Sequence, residues 1–209
     1  MVNLTRIYTR TGDSGNTRLV DNSVARKTDL RVAAYGDTDE ANSAIGVALA
    51  LDDVDSRIGE VLQIVQNELF DVGADLANPV VPNPEWEPLR TVQSSIDRIE
   101  AWCDEFGAEL PNLRSFILPG GTKLGAQLHV IRTLVRRAER SAWVAAEQFG
   151  LEEGTEAPEG GVNALALKYL NRLSDLAFNL ARYANQVGGD AETLWVPGGQ
   201  RDTSAQPPA

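Results

Sequence analysis

The stretch "LGAQLHVIRTLVRRAERSAWVAAEQF" (124–149) gives the clearest structural signal in the chain. Its apolar residues recur at alternating spacings of four and three: Leu124, Leu128, Ile131, Val135, Ala138, Ala142, Ala145 and Phe149. This spacing keeps the apolar side chains on one face of an α-helix and forms a seam suited to packing between helices. The stretch therefore predicts a long helix in a helical bundle.

Helical periodicity also dominates the other segments after residue 28. A first helical region is predicted over about 29–51, although Gly36 and Gly46 weaken its pattern. Three more stripes have helical spacing: Ile58, Val61, Val65, Leu69 and Val72; Val92, Ile96, Ile99, Cys103 and Phe106; and Val162, Tyr169, Leu173, Leu176, Leu180, Tyr183 and Val187. Five long amphipathic helices with short connections predict an all-α fold, an antiparallel five-helix bundle.

Three regions lack this periodicity. Residues 78–88, with four prolines, and residues 150–161, rich in glycine and glutamate, are predicted to be loops. Within the second loop, the acidic residues 152–159 are expected to form a solvated connector. The first 28 residues are rich in Thr, Gly, Asp, Asn and Arg, which favours a loop with short extended pieces, ordered by itself or by a ligand. We therefore divide the chain into a loop segment (1–28), a helical domain (29–190) and a C-terminal tail (191–209).

Composition excludes several classes of function. The chain has 209 residues, with 30 acidic against 19 basic side chains and a formal net charge of -11, which disfavours nucleic-acid binding. A single cysteine excludes an intramolecular disulfide and a cysteine-based zinc site. The sequence contains no apolar run of about 18 residues and no signal-peptide pattern, so we expect a cytoplasmic protein without a membrane span.

Positive charge is nevertheless concentrated on the long helix. Arg132, Arg136 and Arg140 are spaced at i, i+4 and i+8, with Arg137 beside them; we call these four residues the arginine ridge. Like charges at this spacing repel by about 0.2–0.5 kcal/mol per pair, so something must offset the repulsion. One alternative is carboxylates on neighbouring helices, with Asp39, Glu40, Glu139 and Asp175 as candidates; the other is a polyphosphate ligand held by guanidinium groups.

Two loops favour the ligand. In "FILPGGTKLGA" (116–126), two glycines precede a helix start that Thr122 is expected to cap, which leaves backbone N–H groups open to a close approach. In "YTRTGDSGNT" (8–17), hydroxyls and glycines are typical of phosphate-binding loops, although the string is not a P-loop and an exposed turn is the plainer interpretation.

Two helical segments are unusually polar. "RVAAYGDTDEANS" (31–43) contains Asp37, Asp39, Glu40, Asn42 and Ser43, and "NRLSDLAFNLAR" (171–182) contains Asn171, Arg172 and Asp175. Buried polar groups need partners. Each segment therefore predicts either a network between helices or subunits, or half of a ligand site.

Four of these pieces together resemble the PduO-type ATP:cob(I)alamin adenosyltransferases. The pieces are "YTRTGDSGNT", "RVAAYGDTDEANS", "FILPGGT" with "LHVIRTLVRRAER", and "NRLSDLAFNLARYAN", in the family's order over residues 6–185. The resemblance implies a homotrimer with active sites at subunit interfaces. It also implies transfer of the 5′-deoxyadenosyl group of ATP to the cobalt of reduced cobalamin, with release of triphosphate and with Mg²⁺ present.

The resemblance also assigns roles to residues. It implies an ATP-binding set of Thr9, Arg10, Thr11, Gly12, Asp13, Ser14, Gly15, Asn16, Thr17, Lys27, Arg136, Arg137, Ala138, Glu139, Arg140, Ser141 and Asn171. It implies a salt bridge between subunits from Arg132 to Asp39, and an aromatic, Phe116, against the lower face of the corrin ring. Arg10 departs from the lysine common in the family. The end of the chain is outside the family pattern, so Trp195 and Pro197 belong either to a lid over the corrin or to a flexible tail.

The implied chemistry needs little from the protein beyond positioning. Co(I) is a strong nucleophile, so no general base is required, in keeping with a chain that has one histidine. Two alternatives for the function remain. One is a carrier that delivers adenosylcobalamin to a client enzyme, and the other is a nucleotide-binding bundle with another acceptor. A cob(II)alamin reductase is a further expected partner.

His129 is expected to be a packed histidine rather than a cobalt ligand, Cys103 an inert core residue, and Trp86, Trp102 and Trp143 packing or loop anchors.

Overall fold

The computed structural model describes residues 8, 10–81, 84, 87–152 and 158–200. Over these ranges the chain forms five long α-helices: α1 (Leu30–Leu49), α2 (Ser56–Leu76), α3 (Gln93–Ala108), α4 (Lys123–Phe149) and α5 (Ala164–Val187). The all-α prediction with five helices is confirmed. A short 3-10 turn, Gly198–Gln200, follows α5.

Four helices begin at a residue whose side-chain oxygen accepts a hydrogen bond from the first helical turn: Asp29, Asp55, Thr122 and Asn163. Such caps satisfy backbone N–H groups that have no partner inside the helix. The cap predicted at Thr122 is confirmed, since its Oγ1 accepts from the amide of Gly125 at 2.9 Å.

The longest helix, α4, packs against both α1 and α5. Gln127 bonds the carbonyl of Ala44, and Ser141 bonds Asp37, so the residue numbers rise along α4 as they fall along α1. These two helices are therefore antiparallel, as expected.

The pair α3 and α5 differs from a purely antiparallel arrangement. Arg172 bonds Glu100 near the start of the pair, and Asn179 bonds the carbonyl of Cys103 further along, so both helices run in the same direction. Five helices that surround one core and alternate in direction cannot all have antiparallel neighbours, because five is an odd number. One neighbouring pair must be parallel, and here that pair is α3 and α5.

Two small sheets join the loops to the helices. Strands β1 (Asn16–Arg18) and β2 (Val24–Arg26) form an antiparallel hairpin, and β3 (Leu151–Glu152) pairs in parallel with β4 (Val162–Asn163). Val162, predicted as the first residue of the fifth stripe, therefore lies in a strand rather than in α5. The buried guanidinium of Arg31 fixes the second sheet, because it donates to the carbonyls of Leu76 and Gly160 at 2.8 and 2.6 Å.

The predicted stripes form the core. All residues of the α4 seam are buried except Phe149, which is half-buried against the core. Val92 and Val187, at the outer ends of their stripes, are exposed because they are the residues just before α3 and at the end of α5. In the part of the chain that is described, no helix has both the length and the apolar character to span a membrane.

Candidate functional site

The loop that precedes α4 forms one wall of a cavity of about 620 Å³, which we call the Phe116 cavity. Its lining comprises Leu113, Arg114, Ser115, Phe116, Ile117, Pro119, His129, Arg132 and Phe178. Phe116 is 79% exposed, although it is one of the largest apolar side chains of the protein. An exposed aromatic at the edge of an apolar cavity indicates a binding surface rather than a packing position.

The segment after α5 holds this loop in place. The amide of Trp195 donates to the carbonyl of Phe116 at 2.7 Å, and the amide of Leu118 donates to the carbonyl of Thr193 at 2.8 Å. Ile117 and Leu194 form an antiparallel bridge between the two segments. The part of the tail around 193–195 is thus an ordered neighbour of Phe116, whereas residues 201–209 are outside the described ranges.

The last turns of α5 hold both segments. Asn185 accepts from the amide of Thr122 at 2.9 Å and donates to the carbonyl of Gly120 at 3.0 Å. A Cβ atom on Gly121 would lie 2.2 Å from Asn185, and its φ of +100° also favours glycine, so this turn requires glycine. Arg182 donates to the carbonyl of Pro111 and pairs with Glu192.

Sequence reasoning missed the roles of Arg182 and Asn185. The available signal was two polar side chains next to the apolar stripe of α5, where buried polar groups need partners. Their loop partners, Pro111 and Thr122, are far away in sequence, so the pattern of α5 does not reveal them.

The arginine ridge has two kinds of environment. Arg137 forms ion pairs with Asp37, at 3.4 Å, and with Glu40, so the neighbouring-helix alternative holds for this residue. Arg136 and Arg140 are exposed, and Arg140 donates a hydrogen bond to the backbone carbonyl of Arg136. Two cations of the ridge are thus left facing outward without a carboxylate partner among the described residues.

Arg132 and Asp39, predicted to pair between subunits, lie on different helices of this chain. Arg132 is half-buried, and its Nε has no hydrogen-bond partner among the described residues. Burial lowers the pKa of Arg132, and the neighbouring charge of Arg136 lowers it further. Asp39 is exposed on α1. The single chain therefore does not bring this pair together.

A polar network connects α4 to α5 beside the ridge. Asn171 donates to Glu139 at 3.0 Å and accepts from Arg172 at 2.8 Å. All three line a second cavity of about 840 Å³, together with Trp143. On the other side of α4, Ser141 bonds Asp37 at 2.5 Å. Ala138, which directly precedes Glu139 in sequence, is fully buried in the core and offers no side-chain contact to a ligand.

The N-terminal loop is a compact turn. The amide of Lys27 donates to Gly15 at 2.9 Å, and the amide of Gly15 donates to Gly12 at 3.1 Å. A Cβ atom on Gly12 would lie 3.1 Å from the Lys27 Nζ, so this glycine allows the lysine to lie against the loop backbone. Positive φ values at Gly15 and Arg10 complete the turn. The structure thus brings Lys27 close to the loop glycines, all of which the family resemblance assigns to ATP binding.

The remaining loop residues of the predicted set are Thr11, Asp13 and Ser14, which are exposed, and Asn16 and Thr17, which are half-buried in β1. Thr9 lies outside the described residues. The loop leads into α1 three residues after Lys27, and there Leu30 lines a small cavity with Arg140. The loop and the ridge therefore lie near the same end of α1.

The cysteine, the histidine and the tryptophans that the sequence singled out lie mostly in ordinary packing positions. Cys103 is half-buried, and burial raises the pKa of its thiol to about 11, as expected of an inert core residue. Trp102 packs against the core, whereas Trp143 is half-exposed at the second cavity. Trp86 lies outside the described residues. His129 is buried in the wall of the Phe116 cavity.

The fold and the site together define an all-α ligand-binding protein. Arg132 belongs both to the lining of the apolar Phe116 cavity and to the arginine ridge on α4. A family model described as "Cobalamin adenosyltransferase" matches residues 7–184. The chain belongs to the cobalamin adenosyltransferase family.

Relatives of known name and structure agree with this assignment. The chain is 58% identical to the corrinoid adenosyltransferase of Mycobacterium bovis, over 97% of this chain and 99% of that protein. It is 38% identical to the human corrinoid adenosyltransferase MMAB, over 96% of this chain and 76% of that protein. A variant of a PduO-type ATP:corrinoid adenosyltransferase from Lactobacillus reuteri, solved with cobalamin and ATP, superposes with a TM-score of 0.79 at 36% identity, covering 91% of this chain and 99% of that one.

Proposed function

We propose that the protein transfers the 5′-deoxyadenosyl group of ATP to the cobalt of cob(I)alamin, giving adenosylcobalamin and triphosphate. The family and the ATP- and cobalamin-bound structure of a relative support this substrate pair. The observation in this chain that carries the proposal is the position of Arg132, which belongs both to the arginine ridge and to the lining of the Phe116 cavity. A ligand in the cavity and a polyanion on the ridge would then be close neighbours.

The ridge supplies the triphosphate site. Arg136 and Arg140 are exposed on α4, and a guanidinium can donate two parallel hydrogen bonds to a phosphate. The loop of residues 9–17 with Lys27 adds backbone N–H groups, hydroxyls and a cation. Glu139 and Asn171 would contact the nucleoside, since their shared hydrogen bond lies next to the ridge.

The reaction is a displacement at C5′. The Co(I) electron pair forms the cobalt–carbon bond, the bond between C5′ and its oxygen breaks, and that oxygen leaves on triphosphate with the electron pair. The protein orients C5′ towards cobalt and stabilises the negative charge that develops on the leaving group. Proton transfer is not part of this step, so no general base is needed.

Phe116 would lie against the lower face of the corrin ring. Its exposed ring and the apolar side chains beside it would keep water and the axial base away from cobalt. Removal of the lower ligand makes the reduction of Co(II) to Co(I) easier. A cob(II)alamin reductase is the expected partner for that electron, and an adenosylcobalamin-dependent enzyme is the expected client.

Assembly as a homotrimer of five-helix bundles would complete the site. The Arg132 Nε is buried without a hydrogen-bond partner among the described residues, and Asp39 is an exposed carboxylate. Pairing of Arg132 with Asp39 of a second copy would satisfy both groups, since a buried guanidinium without a partner is unfavourable. The active sites would then lie at subunit interfaces.

Magnesium is expected to arrive with ATP. Among the described residues, no three His, Cys, Asp or Glu side chains form a cluster able to hold a metal ion. This arrangement fits Mg²⁺, which is usually held by substrate phosphates and water with few protein ligands. When bound it would neutralise part of the triphosphate charge. The proposed division of the chain remains a loop segment for ATP (1–28), a helical domain (29–190) and a C-terminal tail (191–209).

A spectral assay tests the proposal directly. The protein is incubated with ATP, Mg²⁺ and chemically reduced cobalamin, and the absorbance of adenosylcobalamin is followed. Formation of this product with release of triphosphate is the expected result. Tight cobalamin binding without product would favour the adenosylcobalamin carrier instead, and ATP binding without any response to reduced corrinoid would favour another acceptor.

A further inference from the structure

His129 is the one histidine of the chain, and its surroundings are unusual. The residue is only 3% exposed, yet neither ring nitrogen has a hydrogen-bond partner among the described residues. Its ring meets Phe178 edge to face, with centroids 6.1 Å apart. Because buried polar atoms are nearly always hydrogen-bonded, two unpartnered nitrogens on one buried ring indicate that a partner is supplied from outside the described part of the chain.

His129 belongs to the lining of the Phe116 cavity, and both of its ring nitrogens are buried. Leu113, Phe116, Ile117, Pro119 and Phe178 make most of this lining apolar, and His129 and Arg132 are the polar residues that α4 contributes to it. A cavity of this kind binds the flat apolar part of a ligand against its walls and fixes the ligand's orientation through a few polar contacts.

The chemistry of His129 narrows the class of ligand group. Burial lowers the pKa of its imidazole, and the nearby charge of Arg132 lowers it further, so the ring is neutral at physiological pH. A neutral imidazole has one N–H donor and one acceptor nitrogen. A neutral carboxamide, which also both donates and accepts, is therefore a better match than an anion or a cation.

We infer that His129 is a corrinoid-recognition residue, whose ring nitrogen hydrogen-bonds a carboxamide group at the rim of the corrin ring. The inference rests on the proposed function, since it assumes that a corrinoid enters the Phe116 cavity. It gives His129 a role in corrinoid affinity and orientation, separate from both the ATP site and cobalt ligation.

The test compares three variants of the full-length protein. His129→Leu removes both nitrogens, His129→Asn keeps a polar group near the Nδ1 position, and His129→Gln keeps one near Nε2. Thr133→Val is the matched control, because Thr133 is exposed one turn further along α4 and its hydroxyl donates to the carbonyl of Val130 in its own helix. Dissociation constants are measured by absorbance for cob(II)alamin and for cob(II)inamide, which lacks the lower nucleotide, alongside ATP affinity and the unfolding temperature.

We expect His129→Leu to weaken binding of both corrinoids by about tenfold, the size of one lost hydrogen bond, with unchanged ATP affinity. At least one of the Asn and Gln variants should restore most of this loss, and Thr133→Val should bind as the wild type does. Rescue by an amide side chain is not expected of a residue that only fills space.

Four results would overturn the inference. One is equal corrinoid affinity for the wild type and all three variants, and another is failure of both amide variants to bind better than Leu. The third is a loss confined to cob(II)alamin, and the fourth is nitrogen hyperfine splitting from the protein in the electron paramagnetic resonance spectrum of bound cob(II)inamide. Turnover of the wild type with ATP and cob(I)alamin separates failure of the inference from failure of the proposed function. If the wild type forms adenosylcobalamin, such results reject only the role of His129. If it forms none, the proposed function itself has failed.

Discussion

The phenyl ring of Phe116 meets the indole ring of Trp195 edge to face, with centroids 6.1 Å apart and ring planes inclined by 75°. The backbones of the same two residues are joined by a hydrogen bond. An aromatic side chain on the loop before α4 is therefore held next to one from the tail. Since both rings remain substantially exposed, they form one rigid apolar surface rather than a closed packing contact.

Replacement of Phe116 should affect chemistry more than stability. Phe116→Ala should slow formation of adenosylcobalamin from cob(II)alamin more than from pre-reduced cob(I)alamin, because the ring is proposed to exclude the lower axial ligand. The melting temperature should change little, since Phe116 is mostly exposed. Phe70→Ala is a matched control, because Phe70 is 70% exposed on α2 and outside the proposed site. Equal slowing from both cobalt states would contradict the role in axial exclusion.

Arg136 is expected to be a main contact of the triphosphate. Arg136→Ala should lower kcat/KM for ATP by about ten- to 150-fold, the equivalent of one charge-assisted hydrogen bond of about 1.5–3 kcal/mol. Steady-state kinetics at saturating corrinoid measure this loss. Lys123→Ala, which removes an exposed cation from the start of the same helix, should leave kcat/KM for ATP unchanged. A normal rate for Arg136→Ala would exclude the ridge as the phosphate site.

The ion pair of Arg182 and Glu192 is expected to hold the tail against the loop. The two side chains are 8% and 19% exposed, and Arg182 also binds the carbonyl of Pro111. Glu192→Gln should therefore raise the rate of hydrogen exchange at the amides of Leu118 and Trp195, by roughly tenfold if about 1.4 kcal/mol is lost. Asp190→Asn, at an exposed position two residues earlier, is the control. Unchanged exchange in Glu192→Gln would mean that the backbone pairing alone fixes the tail.

Asp75 should be among the residues on which stability depends most. It is 1% exposed, and its two oxygens accept hydrogen bonds of 2.7 Å from Arg90, the amide of Thr91 and Asn163. Asp75→Ala would leave the largely buried guanidinium of Arg90 without its carboxylate, so we expect the free energy of unfolding to fall by about 3–5 kcal/mol. Urea unfolding measures this change. Asp97→Ala, at an exposed site on α3, should stay within about 0.5 kcal/mol of the wild type.

Much of the fold was predictable because it depends on local spacing. The apolar stripes of α2 and α4 are buried as predicted, and Thr122 caps α4. Helix periodicity is a property of neighbouring residues, so it can be recognised without tertiary information. The errors lie at the stripe ends: Val92 is the capping residue rather than part of α3, and Val162 is in a strand.

Many residues of the candidate site could be predicted from the sequence, but most of the contacts between them could not. The sequence singled out the ridge, the loop glycines, Lys27, Glu139 and Asn171, but it left open whether the ridge would face carboxylates or a ligand. Tertiary packing gives each arginine of the ridge its own environment: Arg137 pairs with Glu40, whereas Arg136 is exposed. Roles for Arg182 and Asn185 could not be predicted, since the loop residues that they bind, Pro111 and Thr122, are about 60 to 70 residues away in sequence.

The sequence by itself determined the five helices, their buried faces and the concentration of positive charge on α4, because each depends on residues a few positions apart. Only the tertiary structure decided that the tail pairs with the Phe116 loop and that His129 opens onto the same cavity as Arg132. Those relationships depend on how α4, α5 and two loops pack, and side-chain burial is settled only when all of them are in place.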